Sequence, residues 1–273
     1  MLAYMKDILK EAEKTNTAVA GFNVFGYEDA VAVVRAAESL NKPVLLMVNK
    51  PAAQHMPVPI IGSILRKVAR AASVPVGVHL DHAKEMSLIA QALETGFTSV
   101  MFDGSDLPFE ENVRLTNQVV KMAAIFSAGV EAEIGMVGYS DSGLASESTD
   151  PAEAKAFAEQ TGVDALAVSV GTVHRLTTQR AKLDLPRLQK IHSMVATPLV
   201  IHGASGLPDA SMPLLGENGV RKVNFGTKLR MVFGKTLRKQ MEENPEIFDR
   251  IQLFQKCMEE VQAKAADTIK KIS

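Results

Sequence analysis

The chain has a single cysteine, Cys257, in 273 residues, which excludes both a disulfide framework and a cysteine-ligated zinc cluster. That scarcity predicts a reducing, cytoplasmic setting. No apolar run approaches the roughly 18 residues of a membrane span. The opening segment, MLAYMKDILKEAEK, reads as an amphipathic helix of mixed charge, without the basic-then-apolar profile of a secretory signal. Charge of one sign is lacking too. The formal net charge is -1 with the signs interspersed, so neither nucleic acid nor an acidic membrane is an expected partner. No linker, low-complexity tract or repeat breaks the chain into pieces.

What is present is rhythm. Apolar residues make up 47% of the chain, enough for a sizeable core. Short apolar runs fall at 18–24, 43–48, 75–80, 99–102, 130–134, 165–170, 198–201 and 221–225. Helical patterns lie between them, at 28–40, 60–72, 84–95, 110–126, 151–160 and 186–195. Asp150 followed by Pro151 has the form of a helix N-cap and first helical position. The strand runs are nearly continuously hydrophobic, as expected of parallel strands covered on both faces. Eight such units predict an α/β fold of one domain over 1–273, a (β/α)₈ TIM barrel. Residues 136–149, rich in glycine and serine, are expected to form a mobile loop over the active-site rim, and 249–272 a helical tail.

In such a barrel, chemistry collects at the carboxyl ends of the strands. The third run, PVGVHLDHAKE, delivers Asp81 and His82 there. The sixth reaches His174 and the seventh ends at His202. Three histidines at one rim would form a metal site with an open position, and neutral imidazoles suit Zn²⁺ best, with other divalent ions open. Asp103 and Glu133, at the fourth and fifth strand ends, either orient those ligands, hold a second cation, or close the barrel top as salt bridges. Asp81 is either a cap for the following helix or a general acid/base beside the metal. His79, two residues deeper, is expected to be a hydrogen-bonded core residue, with His55 in a loop and His192 in a helix.

Two glycine-bearing turns follow the seventh and eighth strands. HGASG turns through Gly203 and Gly206 and runs into a helix expected near Pro208. VNFGTKLR offers Asn224, Gly226 and Thr227 as donors. Backbone amides at such places favour phosphate, which predicts a phosphorylated substrate.

These stretches resemble the class II, metal-dependent ketose-bisphosphate aldolases, the group of fructose-bisphosphate and tagatose-bisphosphate aldolases. The resemblance is carried by AVAGFNV, PVGVHLDH, GFTSVMFDGSDLPFEENVRLT, GVEAEIG, TGVDALAVSVGTVH, LVIHGASG and KVNFGT. It implies that His82, His174 and His202 bind catalytic zinc and that Asp81 handles the proton of the cleaved hydroxyl. It also implies that Gly203, Ser205, Asn224 and Thr227 hold a dihydroxyacetone-phosphate-like half of a ketose phosphate; Gly226, Asn23 and Asn49 are further candidate substrate contacts. A monovalent cation, Na⁺ or K⁺, beside that phosphate, and assembly as a homo-oligomer (dimer or tetramer), are further implications. The implied reaction is reversible C3–C4 cleavage to a ketone phosphate and an aldehyde through an enediolate. The Schiff-base route is disfavoured: no lysine lies on the sixth strand, and Lys50, Lys84 and Lys228 fall in connections.

The chain also departs from its relatives. Arg175 stands where glycine usually follows the second histidine, and 176–181 lacks the tyrosine-lysine-glycine character expected there. Asn49 replaces a common serine, and Lys228 a common acid. The lid glutamate that moves the enediolate proton has Asp141 or Glu147 as its nearest counterparts, and the turn at 135–138 favours Asp141. Arg175 either adds positive charge at the phosphate or points into solvent. Another metal-assisted sugar-phosphate enzyme, such as an epimerase, and a non-catalytic barrel subunit remain alternatives. An amidohydrolase-type barrel would need two histidines spaced by one residue on the first strand, and GFNVFG has none.

Overall fold

Residues that are apolar on both faces of a strand need cover on both sides, and parallel strands closed into a ring supply it. The computed structural model describes residues 1–141 and 146–273. In it, β1 (Val19–Asn23), β2 (Val44–Val48), β3 (Val76–Ala83), β4 (Ser99–Phe102), β5 (Gly129–Ile134), β6 (Ala165–Val168), β7 (Leu199–Ile201) and β8 (Val220–Phe225) follow one another round a closed barrel. β8 pairs in parallel with β1 and completes the ring. The (β/α)₈ barrel expected from the sequence is the observed fold.

The described helices are α1 (Met5–Lys14), α2 (Tyr27–Ser39), α3 (Lys50–His55), α4 (Val58–Ala71), α5 (Met86–Thr95), α6 (Phe109–Ile125), α7 (Pro151–Thr161), α8 (Leu185–His192), α9 (Met212–Glu217), α10 (Thr227–Glu243) and α11 (Arg250–Ile272). Asp150 does cap α7, its carboxylate accepting from the amides of Ala152 and Glu153. His55 ends the six-residue α3 instead of lying in a loop. Asn49 caps that helix and Pro51 sits in its first turn, where a missing N–H costs nothing. α11 is no loose tail. It packs against α2 and α10 and buries Cys257, Val261, Ala265, Ile269 and Ile272.

Two apolar clusters result. The larger fills the space between strands and helices, with Phe22, Leu46, Val78, Phe102, Leu166 and Phe225 among its members. The smaller lies inside the barrel, where Val19, Leu45, Met47, Met101, Ala167 and Val200 meet Met5, Ile8 and Leu9 of α1. The first helix therefore plugs the amino-terminal end of the barrel. Each buried Val, Leu, Ile or Met side chain there contributes roughly 1.5–3 kcal/mol. Above this plug the inward positions turn polar: His79, Asp81, Glu131, Glu133, His202, Lys222 and Asn224 are all buried. That change of character marks the site. Among the described residues no helix is long and apolar enough to cross a membrane.

Candidate active site

Strand alternation would send Asp81 and His82 to opposite faces. It does not, because β3 breaks register with β4 between Leu80 and Ala83, and His82 takes φ 53°. This left-handed conformation, costly for any residue but glycine, lets both neighbours face one cavity. The strand therefore runs to Ala83, past the end expected at residue 80, and α5 begins at Met86 instead of 84. Asp81 lies within the strand and caps no helix. Its Oδ2 accepts from Asn23 Nδ2 at 3.1 Å and its Oδ1 from Asn224 Nδ2 at 3.2 Å.

His174 sits six residues past β6, in a loop held by two hydrogen bonds. Its amide donates to the Gly138 carbonyl, and its carbonyl accepts from the Ser140 amide. Tyr139 stacks on its ring at 4.6 Å. His202 follows β7 directly and Gly203 turns the chain with φ 65°. A Cβ at Gly203 would lie 2.8 Å from the Val173 carbonyl, so the absence of a side chain is what lets the His174 loop close on His202. Gly203→Ala is expected to lower stability by about 1–3 kcal/mol through a strained φ and this clash. The measurement is the thermal midpoint, which should fall by several degrees.

The three imidazoles converge, offering ring nitrogens all within 4.8 Å of one another. His82 Nδ1 and Asp103 Oδ2 are 2.8 Å apart, and His202 Nε2 and Glu131 Oε1 also 2.8 Å. Those contacts leave His82 Nε2 and His202 Nδ1 facing each other at 2.7 Å, while the buried His174 Nε2 has no partner among the described residues. Burial, reinforced by the neighbouring rings, holds His174 and His202 well below the usual imidazole range and therefore neutral. Burial opposes charge on His82 too, yet the carboxylates of Asp81, Asp103 and Glu133 push it up to about 10. The neutral nitrogens of His174 and His202, beside a His82 held in a field that favours positive charge, fit a divalent cation.

Asp103 is the orienting partner of His82 and is itself held by the Ser105 amide and hydroxyl. Glu133 accepts from the Val137 amide through Oε1, while Oε2 has no hydrogen-bond partner among the described residues and lies 3.9 Å from His82 Nδ1. Burial and the nearby Asp103 push Glu133 up to about 8. His82, Asp103 and Glu133 form a second group able to hold a cation.

One cavity of about 380 Å³ brings the rest together. It is lined by Asn23, Asn49, Asp81, His82, His174, Arg175, His202, Gly203, Ser205, Asn224, Gly226 and Thr227. Gly226 and Thr227 start the 17-residue α10, whose amino end favours an anion. The helix expected near Pro208 is instead two turns of 3₁₀ helix, Ala204–Gly206 and Asp209–Ser211, before the six-residue α9. On that side Gly203 and Ser205 line the cavity without a helix dipole behind them. Ser205 Oγ accepts weakly from the Lys228 amide at 3.4 Å and ties the two turns together.

Asp141 lies at the rim and binds Arg175 at 2.7 Å, a contact that holds its carboxyl below the ordinary range. Arg175 also lies over the Tyr139 ring. The two residues singled out as departures from the family thus hold each other. Of the expected mobile loop, 142–145 lie outside the described residues. Its two ends are pinned, Met136 to Glu147 and Thr149 to the Ile134 carbonyl.

Sequence reasoning missed Lys50, Gln54, Tyr139 and Arg230, which line the same cavity. Arg230 had a signal, since it lies three residues beyond Thr227 on the same helix face. The lysine inventory needs two corrections. Lys50 and Lys228 belong to α3 and α10, and Lys222 was overlooked although it lies inside the barrel. Its ammonium faces Glu131 and does not line the cavity, so it offers no Schiff-base nucleophile to a substrate.

The family model for "Fructose-bisphosphate aldolase class-II" matches residues 3–273. The chain belongs to this family. The aldolase is 35% identical over 256 residues to the fructose-bisphosphate aldolase of Geobacillus stearothermophilus, covering 91% of this chain and 88% of that one. It is 36% identical over 246 residues to the D-tagatose-1,6-bisphosphate aldolase subunit GatY of Klebsiella oxytoca, covering 88% and 87%. Its fold superimposes on the YdjI aldolase of Escherichia coli K12 with a TM-score of 0.89 at 31% identity, over 100% of this chain and 98% of that one. As a class II aldolase it is a lyase, and its family acts on phosphorylated sugars and is generally metal-dependent.

Proposed function

We propose that this class II aldolase reversibly cleaves a ketose phosphate or bisphosphate into a dihydroxyacetone-phosphate-like ketone and an aldehyde, with zinc held by His82, His174 and His202. The observation that carries this reading is the placement of Asp81 and His82 side by side on one cavity that Gly203, Ser205, Gly226 and Thr227 also line. When bound, the metal supplies Lewis acidity that polarises the substrate carbonyl.

The protein's own groups do the rest. The amides around Gly203 and Ser205 and the amino end of α10 at Gly226 and Thr227 receive the phosphate, which fixes the ketone against the histidines. Arg175 adds charge at the rim. Asp81, aimed by Asn23 and Asn224, takes the proton from the C4 hydroxyl as the C3–C4 bond breaks. The pair of electrons from that bond remains on the ketone half as an enediolate. Asp141 relays a proton from solvent to C3 of the enediolate, which requires its salt bridge with Arg175 to open and its carboxylate to take up that proton first, and Asp81 then releases the C4 proton to solvent.

Assembly as a homo-oligomer and a cytoplasmic location belong to the same reading. Phe248 and Ile251, 96% and 76% exposed beside the start of α11, are apolar surface of the kind found between subunits. The deciding experiment screens zinc-loaded protein against ketose mono- and bisphosphates, with ketone phosphate detected by a coupled reductase. At least one substrate should be cleaved, with loss of activity in chelator and recovery on adding zinc back. Inverted sugar without fragments would make it an epimerase, and no turnover of any kind a binding subunit.

A further inference from the structure

Below the imidazoles the barrel interior holds a charge pair with no part in the steps above. Lys222 on β8 and Glu131 on β5 have fully buried side chains, with Nζ and Oε2 2.8 Å apart. The other carboxylate oxygen, Oε1, is the one that meets His202 Nε2. His79 completes the layer, its Nε2 3.8 Å from Glu131 Oε2 and its Nδ1 2.8 Å from Ser99 Oγ. Burying two opposite charges costs several kcal/mol per ion, and a well-packed apolar pair is often as stable. Stability is therefore a poor account of a lysine here.

Orientation is a better one. A neutral imidazole carries its proton on the nitrogen that has an acceptor beside it, and its other nitrogen keeps the lone pair a metal needs. Glu131 Oε1 draws the proton of His202 to Nε2 and leaves Nδ1 open, on the side of His82. A competing donor is present: Asn224 Nδ2 is 3.4 Å from the same Nε2. If the carboxylate swings away, that amide favours the opposite tautomer, with the proton on Nδ1. Lys222 grips the second oxygen and prevents the swing. We propose that Lys222 is a positioning residue of the metal centre, which fixes His202 through Glu131 so that Nδ1 is presented as the ligand atom. This rests on the reading of His202 as a metal ligand.

The test is a double-mutant cycle read as zinc dissociation constants, measured by competition with a chromophoric chelator on full-length protein. Lys222→Met should weaken zinc binding about 10–100-fold, the usual effect of losing such a support. In the Glu131→Gln background the same substitution should change affinity less than about threefold, because the intermediary is already gone. The double variant leaves no buried charge unpaired, so its metal-free thermal midpoint should exceed that of Lys222→Met while its zinc affinity stays low. If Lys222→Met is too unstable to purify, Lys222→Gln takes its place in the cycle. Unchanged affinity in the lysine variant, or additive losses in the cycle, would overturn the proposal and leave lysine as a counter-ion of the fold. Failure of the unmodified protein to bind zinc would instead remove the reading of the histidines, and this proposal with it.

Discussion

Alanine in place of His174 or His202 is expected to abolish turnover and to leave the protein without stoichiometric zinc. A three-residue site keeps one position for substrate and so has no ligand to spare. Because binding also requires the remaining donors to be preorganised, losing one imidazole should cost orders of magnitude in affinity. The rate should fall by at least about a thousandfold, since several kcal/mol of carbonyl polarisation goes with the metal. The two variants are not equivalent. His202 is fully buried and partners Glu131, so its removal also disturbs the ion pair beneath. His174 lies on a loop under Tyr139, and its loss should leave the barrel's melting behaviour nearly intact. It gives the cleaner experiment. Metal content by emission spectroscopy and the cleavage rate decide it: one zinc per chain and an unaltered rate in His174→Ala would refute the assignment.

Asp81→Ala should behave in the opposite way, retaining zinc and losing about 10²–10⁴ in kcat. Its carboxylate contacts Asn23 and Asn224, so no histidine depends on it for orientation. kcat and kcat/KM should fall together, the signature of an interaction made only in the transition state. Asp81→Asn keeps the shape but not the proton acceptor and should be impaired as severely. Near-normal cleavage by either variant, with metal bound, would mean another group takes the C4 proton.

Much of this was legible in the sequence because buried parallel strands advertise themselves as unbroken apolar runs. All eight strands appear in the expected order, and Asp81, the three histidines and the residues expected to hold substrate line one cavity, while Asp141 does not. What escaped notice has a common physical cause, namely structure made by partners far apart in the chain. The β3 bulge depends on its register with β4, so Ala83 looked like a helix approach. Lys222, inside RKVNF, reads as an ordinary polar alternation, and the carboxylate that makes its burial possible is Glu131 on another strand. α3 is only six residues long and carries Pro51, too short for a periodic signal. Asp141 and Arg175 were each weighed alone, whereas in the fold they are one ion pair.

The left-handed turn at His82 places the proposed proton acceptor, Asp81, and a proposed metal ligand, His82, on one dipeptide. The separation of their backbones is then fixed by covalent geometry, whatever the surrounding loops do. Lys50 and Gln54 on α3 and Arg230 on α10 stand outside that unit, yet look onto the same cavity. Such a division lets the choice of sugar drift, or be re-engineered, at the mouth of the barrel while the bond-breaking apparatus is inherited unchanged.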